Sequence, residues 1–172
     1  MSTARDVMDV FLQPGEVFLG DQDYRIRTLL GSCVSITLWH ARRRVGAMSH
    51  FLLARRGTPR DRDLDGRYGD EALEIMLREL ARAQIEPRQC EAKIFGGGNM
   101  FPDQRRTHAI EVGRRNGGFA RELLSVAGIP LVSESLYGVG HRQIIFDVAS
   151  GHVWSRQIKP AAVNVANAEV AL

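Results

Sequence analysis

Apolar and polar residues alternate with period two through Val34, Ile36 and Leu38, and a second apolar run, "VGAMSHFLL", follows the break "WHARRR". Such alternation puts every second side chain on one face of a strand, and the arginine-rich break predicts a hairpin turn. "GEVFLG" and "YRIRTLL" read as two further short strands, so the first part of the chain predicts a β-meander. The pattern then changes. In "YGDEALEIMLRELARAQ" the residues Ala72, Ile75, Met76, Glu79 and Leu80 recur at helical spacing, with Asp70 as an expected N-cap and Pro87 after the end. "CEAKIFGGG" predicts a strand running into a glycine loop, and "GGFARELLSVAG" a second helix ending at Gly128 before Pro130. "PLVSES", "RQIIFDV" and "HVWSRQI" complete the strands. Strands outnumber helices without alternating regularly with them. The expected fold class is therefore α/β, a layered sandwich of mixed, largely antiparallel β-sheet with helices packed outside.

The 172 residues suit one domain, residues 1–172, with a core from about 12 to 158. The tail "PAAVNVANAEVAL" is expected either to dock as a terminal helix or to stay disordered. Acidic residues interrupt the start, "MSTARDVMDVFL", and no apolar stretch reaches the ~20 residues that span a bilayer, so the expectation is a soluble, cytoplasmic protein that is not membrane-inserted. Two cysteines, Cys33 and Cys90, are too few for a disulfide framework or a four-cysteine zinc site, and no ligand spacing accompanies them; no structural metal is expected. Net charge is +3, and Lys93 and Lys159 are the only lysines. Arginine favours bidentate pairing with carboxylates, which suits an acidic partner surface. The arginines interleave with aspartates or sit in turns, without the basic stripe and stacking aromatics that nucleic-acid binding requires.

The hairpin carries the candidate chemistry. With His40-Ala41-Arg42-Arg43 as the loop, Trp39 faces Arg44, Leu38 faces Val45, and Cys33 falls directly opposite His50. Opposed residues share a face with Cβ atoms about 4.5–5.5 Å apart, close enough for an imidazole to reach a thiol. An imidazole there would lower the thiol pKa and hold a nucleophilic thiolate at neutral pH, and backbone N–H groups after the Gly31-Ser32 turn could meet an oxyanion. The same residues are equally those of a packed cysteine facing a satisfied polar group. "IFGGGNMF" lacks the spacing of a nucleotide loop; Gly96, Gly97 and Gly98 are expected to let the backbone pass close to another element or line a cleft. His108 and His141 sit among turn residues. The nearest hydroxyl on the strand entering "LLGSC" is that of Thr28, which a kink or bulge at Leu30-Gly31 would aim at the site; Ser32, Ser49 or a main-chain carbonyl are the competing partners for His50.

Taken together, "LLGSCVSITLW", "VGAMSHFLL", "RYGDEALEIML", "AKIFGGGNMF", "RRNGGFARELL" and "IIFDVASGHVW" occur in an order that resembles the CheD family of chemoreceptor glutamine deamidases. The resemblance implies a cofactor-free conversion of receptor glutamines to glutamates, with the nucleophile at Cys33 and the histidine at His50. It also implies chemoreceptor cytoplasmic domains as substrate, a CheC-type phosphatase as a partner in other members, and in some a methyl-ester hydrolase activity. A non-catalytic adaptor binding receptors or the phosphatase is the alternative. Members with a catalytic threonine carry it six positions before the cysteine, where this chain has Arg27, and Thr28 lies one residue closer. "LYGVGHRQIIFD" places Tyr137 where the family often has a glycine.

Overall fold

In the computed structural model, which describes residues 4–57, 63–101 and 108–159, the strands divide between two sheets. One runs β1 (Met8–Phe11), β3 (Tyr24–Leu30), β8 (His141–Asp147), β9 (Val153–Ile158), with β1 and β3 parallel and the other pairs antiparallel. The other runs β2 (Val17–Gly20), β5 (Val45–Ser49), β4 (Val34–His40), β6 (Glu91–Gly96), β7 (Leu131–Leu136), antiparallel except for β6 and β7. Helices α1 (Gly69–Arg82) and α2 (His108–Ala127) pack on the five-stranded sheet. The layers are thus helices, five-stranded sheet, four-stranded sheet, the α/β sandwich with outer helices that the pattern predicts.

The meander is overturned. β3 and β4 follow each other in the chain yet belong to different sheets, and β2 pairs with β5. The reason lies in β4, which is buried on both faces. Val34, Ile36 and Leu38 meet Leu73, Met76 and Leu80 of α1 on one side. On the other, Ser35 and Thr37 are buried rather than solvated, and Ser35 Oγ donates to Ser49 O at 2.5 Å. Between the sheets Ile26, Met48 and Phe146 form one cluster and Leu30, Phe95 and Ile144 another. Full burial of such side chains stabilises by about 1.5–3 kcal/mol each.

Both helix starts differ from expectation. Gly69 opens α1 after an uncapped Tyr68, and Asp70 sits inside the first turn, where its carboxylate accepts the Glu71 N–H at 2.9 Å. α2 begins at His108, so this histidine opens a helix instead of lying in a turn, and His141 opens β8. The intervening "VGRRNGG" has poor helix propensity, but packing overrides it. A Cβ on Gly113 would stand 2.6 Å from Gly97 O and one on Gly117 2.8 Å from the Tyr137 ring, so small residues let the helix lie close to the glycine loop. The C-terminal tail, residues 160–172, lies outside the described residues.

Candidate active site

Cys33 lies in the three-residue passage, Gly31-Ser32-Cys33, that carries the chain from the last residue of β3 in one sheet to the first residue of β4 in the other. Three donors hold the carbonyls of this passage: Gly98 N–H donates to Gly31 O at 2.8 Å, Asn116 Nδ2 to Ser32 O at 3.2 Å, and Gly97 N–H to Cys33 O at 2.9 Å. Gly96 has φ +117°, and a Cβ there would collide with Cys33 O, which is why the loop is glycine. The close passage expected of these glycines is what the fold uses. Every peptide among the described residues is trans, so the N–H groups of Ser32 and Cys33 point opposite to the held Gly31 and Ser32 carbonyls. Among the described residues neither N–H donates to another residue. The Cys33 side chain packs against the Leu30, Phe95 and Ile144 cluster between the sheets.

The hairpin register is shifted from the expected one. His40 pairs with Val45, Trp39 with Gly46 and Leu38 with Ala47, leaving Ala41 to Arg44 as the loop. His40 closes the ladder because its Nδ1 accepts the Arg43 N–H at 3.1 Å and Arg44 takes the left-handed conformation, φ 50°. Val34 then bridges Phe51, with backbone bonds of 3.1 and 3.0 Å, so Cys33 and His50 are diagonal across that bridge instead of opposed. A shift of two residues preserves facing, and diagonal neighbours lie about 7–8 Å apart, within reach of an imidazole. Cys33 and His50 form no hydrogen bond with each other, and His50 Nε2 is buried without a partner.

Thr28 meets His50 directly, its Oγ1 2.7 Å from Nδ1. Thr28 is fully buried and His50 is 2% exposed. The same hydroxyl donates to Leu12 O at 2.9 Å. A hydroxyl has one hydrogen, so it accepts from His50 Nδ1–H, and Nε2 is left as the basic nitrogen. No bulge brings Thr28 here: β3 keeps regular register against β8 from Arg25 to Leu30. Thr28 and Leu30 face inward by ordinary alternation, and the crossover at Gly31 does the rest. Of the competing partners, Ser49 is occupied otherwise, its Oγ accepting the Ile36 N–H at 3.1 Å.

Burial sets the resting protonation. It pushes the Cys33 thiol above the ordinary cysteine value, opposed by the residue's own backbone N–H, and lowers His50 to about 4 against the pull of Glu16. The thiolate expected at neutral pH is therefore overturned. The resting pair is thiol and neutral imidazole, and proton transfer has to accompany attack. Cys90, buried in the helix-side core, is pushed up to about 11 by burial alone and has no such neighbour.

Two polar residues at this end escaped the sequence reading. Asn116 donates to Leu52 O at 2.7 Å as well as to Ser32 O. Arg142, 3% exposed, donates to Gly96 O and Tyr137 O, each at 2.7 Å, and thereby holds the glycine loop against the turn before β8. Its signal was present: an arginine inside an apolar strand, just as Asn116 is a polar residue within a glycine-rich helical run. Among the described residues no group of His, Cys, Asp and Glu could hold a metal ion, and no helix is long and apolar enough to cross a membrane.

Residues 52–157, more than half the chain, match the family model described as CheD chemotactic sensory transduction. "Probable chemoreceptor glutamine deamidase CheD 2" of Albidiferax ferrireducens is 60% identical over 93% of each chain. "Probable chemoreceptor glutamine deamidase CheD 3" of Dechloromonas aromatica is 44% identical over 95% of each, and "Probable chemoreceptor glutamine deamidase CheD 1" of Chromobacterium violaceum 45% identical over 91% of this chain and 81% of that one. Among solved structures, the Bacillus licheniformis hypothetical protein YfiH gives a TM-score of 0.44 at 14% identity, covering 70% of this chain and 49% of its own, a likeness too partial to assign a fold family. With a matched model over most of its length and end-to-end similarity to relatives so named, this chain belongs to the CheD family.

Proposed function

We propose that this chain is a chemoreceptor glutamine deamidase in which Cys33 is the nucleophile, His50 the base and then the acid, and Thr28 the residue that orients His50. Family membership supports the activity. One observation carries the assignment of roles: the Thr28 hydroxyl, committed to Leu12 O, accepts from His50 Nδ1–H and leaves a buried, unpartnered Nε2 across the Val34–Phe51 bridge from Cys33.

The reaction follows from those atoms. Nε2 takes the thiol proton as Sγ attacks the carboxamide carbon of a receptor glutamine. The oxyanion faces the N–H groups of Ser32 and Cys33, neither of which donates to another residue among those described. On collapse the C–N bond breaks, and the imidazolium returns its proton to the departing nitrogen, which leaves as ammonia. Water then attacks the thioester with Nε2 again accepting a proton, releasing glutamate and restoring the thiol. Each turnover adds one negative charge to the receptor.

The test is intact-mass analysis of purified receptor cytoplasmic fragments incubated with the full chain. Stepwise mass gains equal to replacing NH2 by OH, absent with Cys33→Ala, are expected; unchanged mass with receptors that bind the protein would make it an adaptor. In this reading the protein works in the cytoplasm, where receptor signalling domains are found, and a CheC-type phosphatase is its second partner. Co-purification of a CheC-type phosphatase with the full chain checks that partner.

A further inference from the structure

The β4–β5 ladder ends at the Val34–Phe51 bridge, and beyond it the strands part. The N–H groups of Leu52 and Leu53 turn away to Arg67 O, at 2.8 and 3.1 Å, so Leu52 O and Ser32 O face the gap without a ladder partner. Asn116, 1% exposed in the middle of α2, fills it: its side-chain nitrogen donates to Leu52 O at 2.7 Å and Ser32 O at 3.2 Å. Both acceptors are carbonyls, so the group between them has to bring two hydrogens, and the Asn116 NH2 carries both on one nitrogen without a charge. The helix itself gains nothing from asparagine, which costs about 0.7 kcal/mol against alanine in a helix interior.

One acceptor belongs to the residue before Cys33, the other to the second residue after His50. A single amide therefore ties the nucleophile's segment to the base's segment where the backbone ladder no longer does. It also fixes the Ser32–Cys33 peptide plane, whose N–H is one of the two donors assigned to the oxyanion. We propose that Asn116 is a positioning residue that sets the approach of Cys33 to His50 and the aim of the Cys33 N–H. This rests on the reading of Cys33 and His50 as nucleophile and base. Without the amide, two carbonyl dipoles confront each other across the parted strands, the gap widens, and the imidazole no longer reaches the thiol during attack.

The experiment is a double-mutant cycle on the full chain, read by iodoacetamide alkylation of Cys33 at neutral pH and by receptor-fragment deamidation. Asn116→Asp keeps the shape but offers no hydrogen; Asn116→Ala removes the donor without adding charge. Each is expected to lower kcat about ten- to a hundredfold with KM within about threefold, because the interaction acts on the reacting groups and not on receptor binding. His50→Ala should slow alkylation in the wild-type background and leave it unchanged in either Asn116 background, a loss of coupling that mere destabilisation of the folded protein does not produce. Wild-type kcat in the Asn116 variants, or an undiminished His50 effect in them, overturns the proposal while leaving the Cys33–His50 pair intact. No His50 effect even in the wild-type background removes the pair itself, and with it this inference. Failure of both variants to fold would make Asn116 a residue of the fold alone and overturn its positioning role.

Discussion

His50 makes the protein sensitive to mild acid in a way that can be worked out from its burial. Free histidine titrates near 6.5, whereas folded His50 titrates at about 4, chiefly because burial opposes the charged ring. The unfolded chain therefore binds this proton first as pH falls. Stability tied to neutral His50 is complete above pH 6.5 and is lost as pH falls through the window from 6.5 to about 4. At about 1.4 kcal/mol per decade, and with the folded residue half protonated at the lower end, the loss on reaching pH 4 is about 3 kcal/mol. Replacing His50 by Asn leaves a donor for the Thr28 hydroxyl but nothing to titrate. Urea unfolding of wild type and His50→Asn across pH 7 to 4 isolates the contribution, since carboxylates elsewhere titrate alike in both. The stability difference between the two proteins should shift by about 3 kcal/mol in favour of the variant as pH falls. A difference that stays constant across the range would refute the reasoning, because it would mean that His50 titrates folded as it does unfolded. The same value sets the acid limb of kcat/KM, which should fall away near pH 4 instead of near 6.5.

Alkylation of Cys33 should rise with pH through an inflection above that of a free cysteine, since burial raises its thiol; an inflection near neutrality would restore the thiolate expectation. Thr28→Ala should lower deamidation about ten- to a hundredfold, or about 1.4–2.7 kcal/mol, while Thr28→Ser, which keeps the hydroxyl, retains most of the rate; equal rates in both variants would remove Thr28 from the site. Arg142→Met deprives two buried carbonyls of their donor and should cost about 2–4 kcal/mol in urea unfolding, and a loss under about 0.5 kcal/mol would show that the glycine loop holds itself.

What the chain discloses about this site follows from which physical signals are local. The alternation through Val34, Ile36 and Leu38 is local, and it gives the strand, its partner and the shared facing of Cys33 and His50. Register is less so: whether His40 belongs to the loop or to the ladder depends on its imidazole accepting the Arg43 N–H and on Arg44 tolerating a left-handed turn, and "HARRR" contains nothing that chooses. Ser35 and Thr37 illustrate a different limit. Polar residues alternating with apolar ones ordinarily mean a solvated face, but here a second sheet covers that face and the hydroxyls are buried. The first half of α2 was hidden for the opposite reason, because Gly113 and Gly117 are poor helix formers and only the close approach to Gly97 and Tyr137 explains them.

The crossover between sheets accounts for the feature that the sequence alone left most awkward, the displacement of the threonine by one residue. In a single hairpin such an offset would turn the hydroxyl to the wrong face, and a bulge would be needed to correct it. Thr28, however, is not on the hairpin. It stands on β3 of the four-stranded sheet and reaches His50, the residue that follows β5 of the five-stranded sheet, across the space between the layers, while Cys33 occupies the passage joining them. Its distance along the chain from Cys33 is absorbed by Gly31 and Ser32, so facing on β3 alone decides whether it points inward. The two halves of the site consequently have different anchors, His50 a hydroxyl from the opposite sheet and Cys33 the glycine loop, and the Asn116 amide ties their segments together. A change that loosens the packing between the sheets, such as trimming Phe146 or Met48, should therefore reach His50 through the Thr28 bond before it disturbs the Gly31-Ser32-Cys33 backbone, whose three carbonyls are held by β6's glycine extension and α2.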